Sequence, residues 1–194
     1  MLKIIEYPHP TLRRPSKPLA RVDAGLVEIV REMFALMYEK KGVGLAANQV
    51  DLPYRLFVAN LECDPQRPEL EHVFINPVIT NRKGSVEAEE GCLSLPGLYG
   101  QVKRPERVTI SAYNLAGQEF RGDLTGLFAR VVQHEVDHLD GVLFIDKLST
   151  SGQMAAREAI EEFEIQFAQR RERGEIPDNA AIAARLAELE KLRC

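Results

Sequence analysis

Hydrophobic positions along the chain recur with two periods, one near ~3.6 residues and one near ~2, and their alternation marks out the elements. Leu26, Ile29, Val30, Met33, Phe34 and Met37 share one helical face; Asp23 stands where a cap is needed and Gly42 where the helix must stop. A glycine-punctuated stretch, GVGLAANQV, leads into Tyr54–Ala59, a nearly continuous apolar run that predicts a buried strand, as does His72–Ile75. Arg107–Tyr113 alternates apolar with polar and predicts a strand paired with Gln118–Arg121 across the turn Asn114–Gly117. Leu124–Leu139 returns to helical spacing, with Asp123 or Thr125 at its start and Gly141 past its end. Gln153–Arg173 predicts a long helix of mixed charge ended by Gly174. After the break IPDN, a last helix carries a narrow apolar stripe of Ile182, Leu186, Leu189 and Leu192. The proline-rich opening predicts extended chain. The sum is an α+β class: short antiparallel or mixed strands packed around one central helix, with a helical C-terminal tail. The body is assigned to residues 1–150 and the extension to 151–194.

Composition narrows the function classes. With 45% hydrophobic and 28% charged residues, the 194-residue chain can bury a core without disulfides. A net charge of −4 gives no reason to expect DNA as a partner. No run approaches a membrane span, and the opening lacks the apolar stretch of a signal peptide. Three cysteines at irregular spacing argue for a reducing compartment, and a cytoplasmic location is expected.

Three stretches carry chemistry. In His134-Glu135-Val136-Asp137-His138, residues four apart lie on one helical face, so His134 and His138 can present two imidazoles to one ion. Glu135 lies about 100° around the helix and can reach a water without binding the ion. Two histidines are half a site. Cys92, in Glu90-Gly91-Cys92-Leu93-Ser94, taken alone reads as a small core residue; beside the two-histidine helix its thiolate would complete the set and leave one position open. Cys63 and Cys194 are weaker candidates. In Gly42-Val43-Gly44-Leu45-Ala46-Ala47-Asn48-Gln49, small residues permit close backbone approach and Gln49 brings an amide donor. A tight turn packed on a strand explains this stretch equally well. A phosphate loop does not, because the lysine and the third glycine are missing.

GVGLAANQ, EGCLS and QHEVDH, in that order, resemble the motifs of the peptide deformylase family, and the resemblance runs from the YPHPTLR stretch to about Leu148. It implies a deformylase catalytic domain over residues 1–150 that hydrolyses the N-formyl group of formyl-methionine on nascent polypeptides. By the same resemblance Cys92, His134 and His138 are the metal ligands and Glu135 is the general base and acid. Gln49 and the backbone N–H of Leu93 donate to the oxyanion. Gly44 belongs to the strand that aligns the peptide, and Val43, Leu127 and Val131 line the methionine pocket. The resemblance implies one divalent ion, Fe2+ first, with Zn2+, Ni2+ or Co2+ as substitutes. It also offers the ribosome as a partner through the C-terminal helix, with Arg170, Arg171 and Arg173 as the candidate contact; cations favourably placed at a helix end explain that cluster equally well.

The segment after EGCLS reads LPGLYG, with Tyr99 near the place where certain bacterial members carry a substrate-holding arginine. Arg130, one turn before His134, either flanks the pocket or extends to solvent. Asp137 is expected to form a buried ion pair with Arg104, since an unpaired carboxylate on a largely apolar helix is costly. Two other functions share parts of this pattern. A zinc endopeptidase would use the same helix with a downstream ligand such as Glu158 or Glu161. A non-catalytic module would close a fourth ligand position with protein.

Overall fold

The computed structural model describes residues 2–194, and its framework is a five-stranded antiparallel sheet with one helix on each face. Helix α1 (Ala24–Glu39) forms from the predicted apolar face. Asp23 caps it, its carboxylate accepting from Leu26 N at 2.8 Å. The helix ends at Glu39. The left-handed residue beyond it is Lys41 (φ 57°), not Gly42, whose N–H closes back on the Met37 carbonyl. Strands β1 (Gly44–Ala46), β2 (Leu56–Ala59) and β3 (His72–Lys83) follow, and the sheet order is completed by β6 (Arg107–Tyr113) and β7 (Glu119–Thr125). The turn between β6 and β7 is the expected one, with Asn114 N bonded to the Gln118 carbonyl. Strand β3 outruns the predicted His72–Ile75. The chain bulges at Asn76 (φ 52°) and Pro77, which interrupts the apolar pattern, and the ladder resumes at Val78.

Strand β2 shows why its run is continuously apolar. Leu56 and Val58 pack with Leu26, Val30 and Met33 of α1, whereas Phe57 and Ala59 face helix α2 (Gly126–Leu139) on the opposite side. Each fully buried side chain of this size contributes about 1.5–3 kcal/mol.

A separate two-stranded ribbon, β4 (Val86–Cys92) and β5 (Leu95–Arg104), has no counterpart in the sequence reading. It packs through Leu95 and Val102 against Leu143, Phe144 and Leu148 and against Ala156 of α3 (Thr150–Glu172). The last helix, α4 (Asn179–Arg193), buries Ile182 and Leu186 against Ile176 and Phe167, and Leu189 against the α1 core; Leu192, expected in the same stripe, is 52% exposed. Ion pairs Arg14–Glu190 and Arg193–Asp23 tie α4 to the opening segment. Among the described residues no helix is long and apolar enough to cross a membrane.

Candidate metal centre and active site

Helix α2 places its chemistry by period. Val132, Val136 and Leu139 face the sheet, and this turns His134, Glu135 and His138 toward the ribbon β4–β5 and the strand β1. The ribbon ends at Cys92, where the register shifts, and the thiol meets the helix. Cys92 Sγ lies 3.2 Å from His138 Nε2, which lies 3.2 Å from His134 Nε2. Ligand atoms from all three residues lie within 4.8 Å of one another.

The donor set fits one divalent ion. His134 Nδ1 sits 3.0 Å from Glu90 Oε2, so its proton belongs on that side and its Nε2 lone pair points to the cluster. Cys92 Sγ receives Gln49 Nε2 and Ser94 N, both at 3.4 Å, which fixes where the sulfur stands. Burial disfavours a charge on His134, but Cys92 and Glu90 outweigh it and push its pKa up to about 10. Burial and the His134 charge drive His138 well below the ordinary value. A cysteine sulfur and two imidazole nitrogens at this spacing are a donor set that suits a divalent transition-metal ion.

Glu135 is 4% exposed and lines a cleft of about 1060 Å³. Burial pushes its pKa up to about 7, against the opposing pull of His134 and Arg104. Its Oε2 is buried without a hydrogen-bond partner, while Oε1 lies against the bare α-carbon of Gly44, where an added Cβ would stand 2.5 Å away. Gln49 is held by its own carbonyl oxygen, which accepts from Ala46 N at 2.9 Å; this leaves the amide nitrogen directed at Cys92 Sγ and, at 3.3 Å, Ser94 Oγ. Val43, Gly44, Leu93, Leu127 and Val131 all line the cleft. Val131 is buried in its wall and Leu127 is 57% exposed at the rim, as is Tyr99 at 64%. Strand β1 is an edge of the sheet; Gly44 lines the cleft there, and the outward N–H of Ala46 is taken by Gln49 Oε1.

The residue that sequence reasoning passed over is Glu90. It is buried and accepts from Arg104 Nε (2.6 Å), Arg104 Nη2 (2.8 Å) and Arg130 Nη1 (2.5 Å) besides facing His134. Burial alone would raise its pKa, but Arg104 and His134 outweigh burial and hold it far below the carboxylate range. Arg130 does not extend to solvent. It is 8% exposed and bonds the carbonyls of Val102 and Val86, one on each strand of the ribbon. Asp137 forms the expected pair with Arg104 (2.6 Å) and a second with Lys147 (3.3 Å). A carboxylate next to a glycine and a possible ligand was the available signal for Glu90; its partners lie 14, 40 and 44 residues away. Glu158 and Glu161 are exposed on α3, outside the cluster, and Glu161 pairs with Arg157.

Comparison with known proteins agrees with this geometry. The family model described as polypeptide deformylase matches residues 1–154. A peptide deformylase of Rhodopirellula baltica is 50% identical over 192 residues, covering 98% of this chain and 94% of that protein. The crystal structure of a Plasmodium falciparum peptide deformylase superposes with a TM-score of 0.84 at 40% identity, covering 86% of this chain and 98% of the other. A plant peptide deformylase gives the same TM-score and identity over 92% and 95%. With the motifs, the fold and these relatives in agreement, the chain belongs to the polypeptide deformylase family.

Proposed function

We propose that the chain is a metal-dependent amide hydrolase that removes the N-formyl group from formyl-methionine at the start of nascent polypeptides, releasing formate. The observation that carries this reading is the Cys92, His134 and His138 cluster, two members of which line the same cleft as Glu135, whose carboxylate has an unpartnered oxygen. Cys92, His134 and His138 would hold a divalent ion, which when bound would supply Lewis-acid activation of a water and of the formyl carbonyl. Glu135 Oε2 would take up the proton of the water that attacks the formyl carbon. Gln49 Nε2 and the Leu93 N–H donate to the oxygen that gains charge. Glu135 then returns the proton to the departing amine. The peptide lies along the free edge of β1 beside Gly44, and its methionine side chain enters between Val43, Leu127 and Val131. Formate release from formyl-Met-Ala-Ser tests this reading; it should be abolished by a chelator and absent with an unblocked longer peptide. Cleavage of the unblocked peptide would instead identify an endopeptidase.

The finer assignments extend the same proposal. Residues 1–150 form the catalytic domain and 151–194 a helical extension. The physiological ion is Fe2+, with Zn2+, Ni2+ and Co2+ as weaker substitutes. Iron also exposes the Cys92 thiolate to oxidants, so the iron enzyme should lose activity in air faster than the zinc enzyme. A cytoplasmic setting suits three free cysteines. A ribosome contact through the basic cluster would compete with partners already in place. Arg170 pairs with Glu6 and Glu175, Arg173 pairs with Glu175, and Arg171 lies over the Phe167 ring. Co-sedimentation of the full chain with ribosomes at graded salt tests that contact.

A further inference from the structure

The three ligand side chains are braced in different ways. His134 leans on Glu90 through Nδ1, and Cys92 Sγ is held by Gln49 Nε2 and Ser94 N. His138 Nδ1 is buried with no hydrogen-bond partner. What reaches His138 from outside the cluster is Asn48. Its Nδ2 donates to the His138 carbonyl, which also accepts from Gly141 N at 3.0 Å.

Asn48 is fully buried, and its Oδ1 has no partner. Burying an amide with one end unsatisfied carries a penalty that an apolar side chain of similar volume would avoid. Completing the end of α2 does not account for that penalty, because Gly141 N already serves the same carbonyl. Asn48 and Gln49 are neighbours in the one-turn 3₁₀ helix Ala47–Val50. Successive side chains there diverge by about 120°, so one turn sends Gln49 toward Cys92 and Asn48 toward His138.

We infer that Asn48 is a positioning residue for the metal centre: by pinning the His138 backbone it sets where His138 Nε2 stands relative to Cys92 Sγ and His134 Nε2. The inference rests on the reading of His138 as a metal ligand. The same turn then braces two ligands at once, and displacing it would loosen the ion before it unfolded the domain.

The test uses the zinc-loaded full chain with Asn48→Leu and Asn48→Ala. Zinc release to a competing chelator and the thermal midpoint with and without zinc are measured. The expected result is a ten- to hundred-fold loss of zinc affinity, about that of other outer braces, and a smaller gap between the two midpoints. A purely structural role would lower both midpoints together and leave the affinity unchanged, which would overturn the inference. His138→Ala separates the two layers. If it keeps zinc at full affinity, the ligand reading itself fails; if it loses zinc while the Asn48 variants keep it, only the positioning role fails. Should both variants fail to fold, amide exchange at Asn48 Nδ2 in the unmodified chain decides. Zinc should slow that exchange, and an unchanged rate would overturn the inference.

Discussion

Helices α2 and α3 are neighbours in sequence and opposites in construction. Nine of the 14 residues of α2 are buried, and they include Arg130, Gln133, Glu135 and His138. Of the 23 residues of α3, only Ala156 is buried, and its charges pair at the surface, as Arg157 does with Glu161. A buried polar group is expensive unless it is matched, so each one on α2 marks a contact that the fold has been arranged around. Surface pairs of the α3 kind contribute about 0–1 kcal/mol and mark little beyond solubility. Chemistry in this molecule is therefore found by asking which polar atoms are hidden, not where charge is abundant.

The sharpest test of that contrast is Glu135→Ala. Turnover should fall by about 100- to 10,000-fold or more, the usual weight of a general acid–base, while metal content measured on the purified protein stays near that of the parent. Loss of metal comparable to His134→Ala would place Glu135 among the ligands instead. Next in size, Gln49→Leu should cost about 100- to 1000-fold in kcat. A change confined to KM would make Gln49 a ground-state binding group. On the tail side, Leu186→Ala removes a side chain that is 1% exposed and should destabilise the fold by about 2–4 kcal/mol in denaturant titration, with kcat at 25 °C unchanged. A tenfold fall in kcat would erase the division between body and tail.

The smallest effect concerns pH. Burial would raise the Asp146 pKa, but the Arg13 guanidinium and the Leu143 amide outweigh burial and lower it. The unfolded chain then binds the proton more readily than the folded one. The stability contributed by Asp146 is full above the unfolded carboxylate value of about 3.9 and is lost as pH falls through the lower folded value. Both side chains are 38% exposed, so screening should limit the effect to about 1 kcal/mol or less. Thermal midpoints of the parent and Asp146→Asn should differ near neutrality and converge in acid; a constant difference would remove the linkage.

Local periodicity made α1, α2, α4 and the β6–β7 hairpin legible, because each buries one face against a continuous core. The ribbon β4–β5 was not legible. Glu87 and Glu89 are exposed, and Gly91 and Gly100 interrupt whatever apolar alternation remains. Motif spacing pointed to Cys92, His134, His138, Glu135 and Gln49 as residues that would meet; the fold brings Gln49, Cys92, His134 and Glu135 to one cleft and sets His138 Nε2 3.2 Å from both Cys92 Sγ and His134 Nε2. It could not point to Glu90 as the meeting place of two arginines and a histidine, since that role depends on side chains brought together only by tertiary packing. Arg104 and Asp137 were paired from the cost of an isolated charge, which is a physical argument that needs no local pattern.

Gly44 carries a consequence for how this chain can vary under selection. A glycine-to-alanine change in an extended strand ordinarily favours folding, since it removes freedom from the unfolded chain. At Gly44 the new methyl would stand 2.5 Å from the Glu135 carboxylate, the movable end of a side chain and not a piece of backbone. The protein could absorb the change by swinging that carboxylate aside, and would do so at the expense of the group proposed above to handle the proton. Alleles at this one codon would thus be ranked in opposite order by a screen for thermal resistance and by a screen for growth that depends on turnover. Stability-guided engineering of this chain would select against its own purpose at that position.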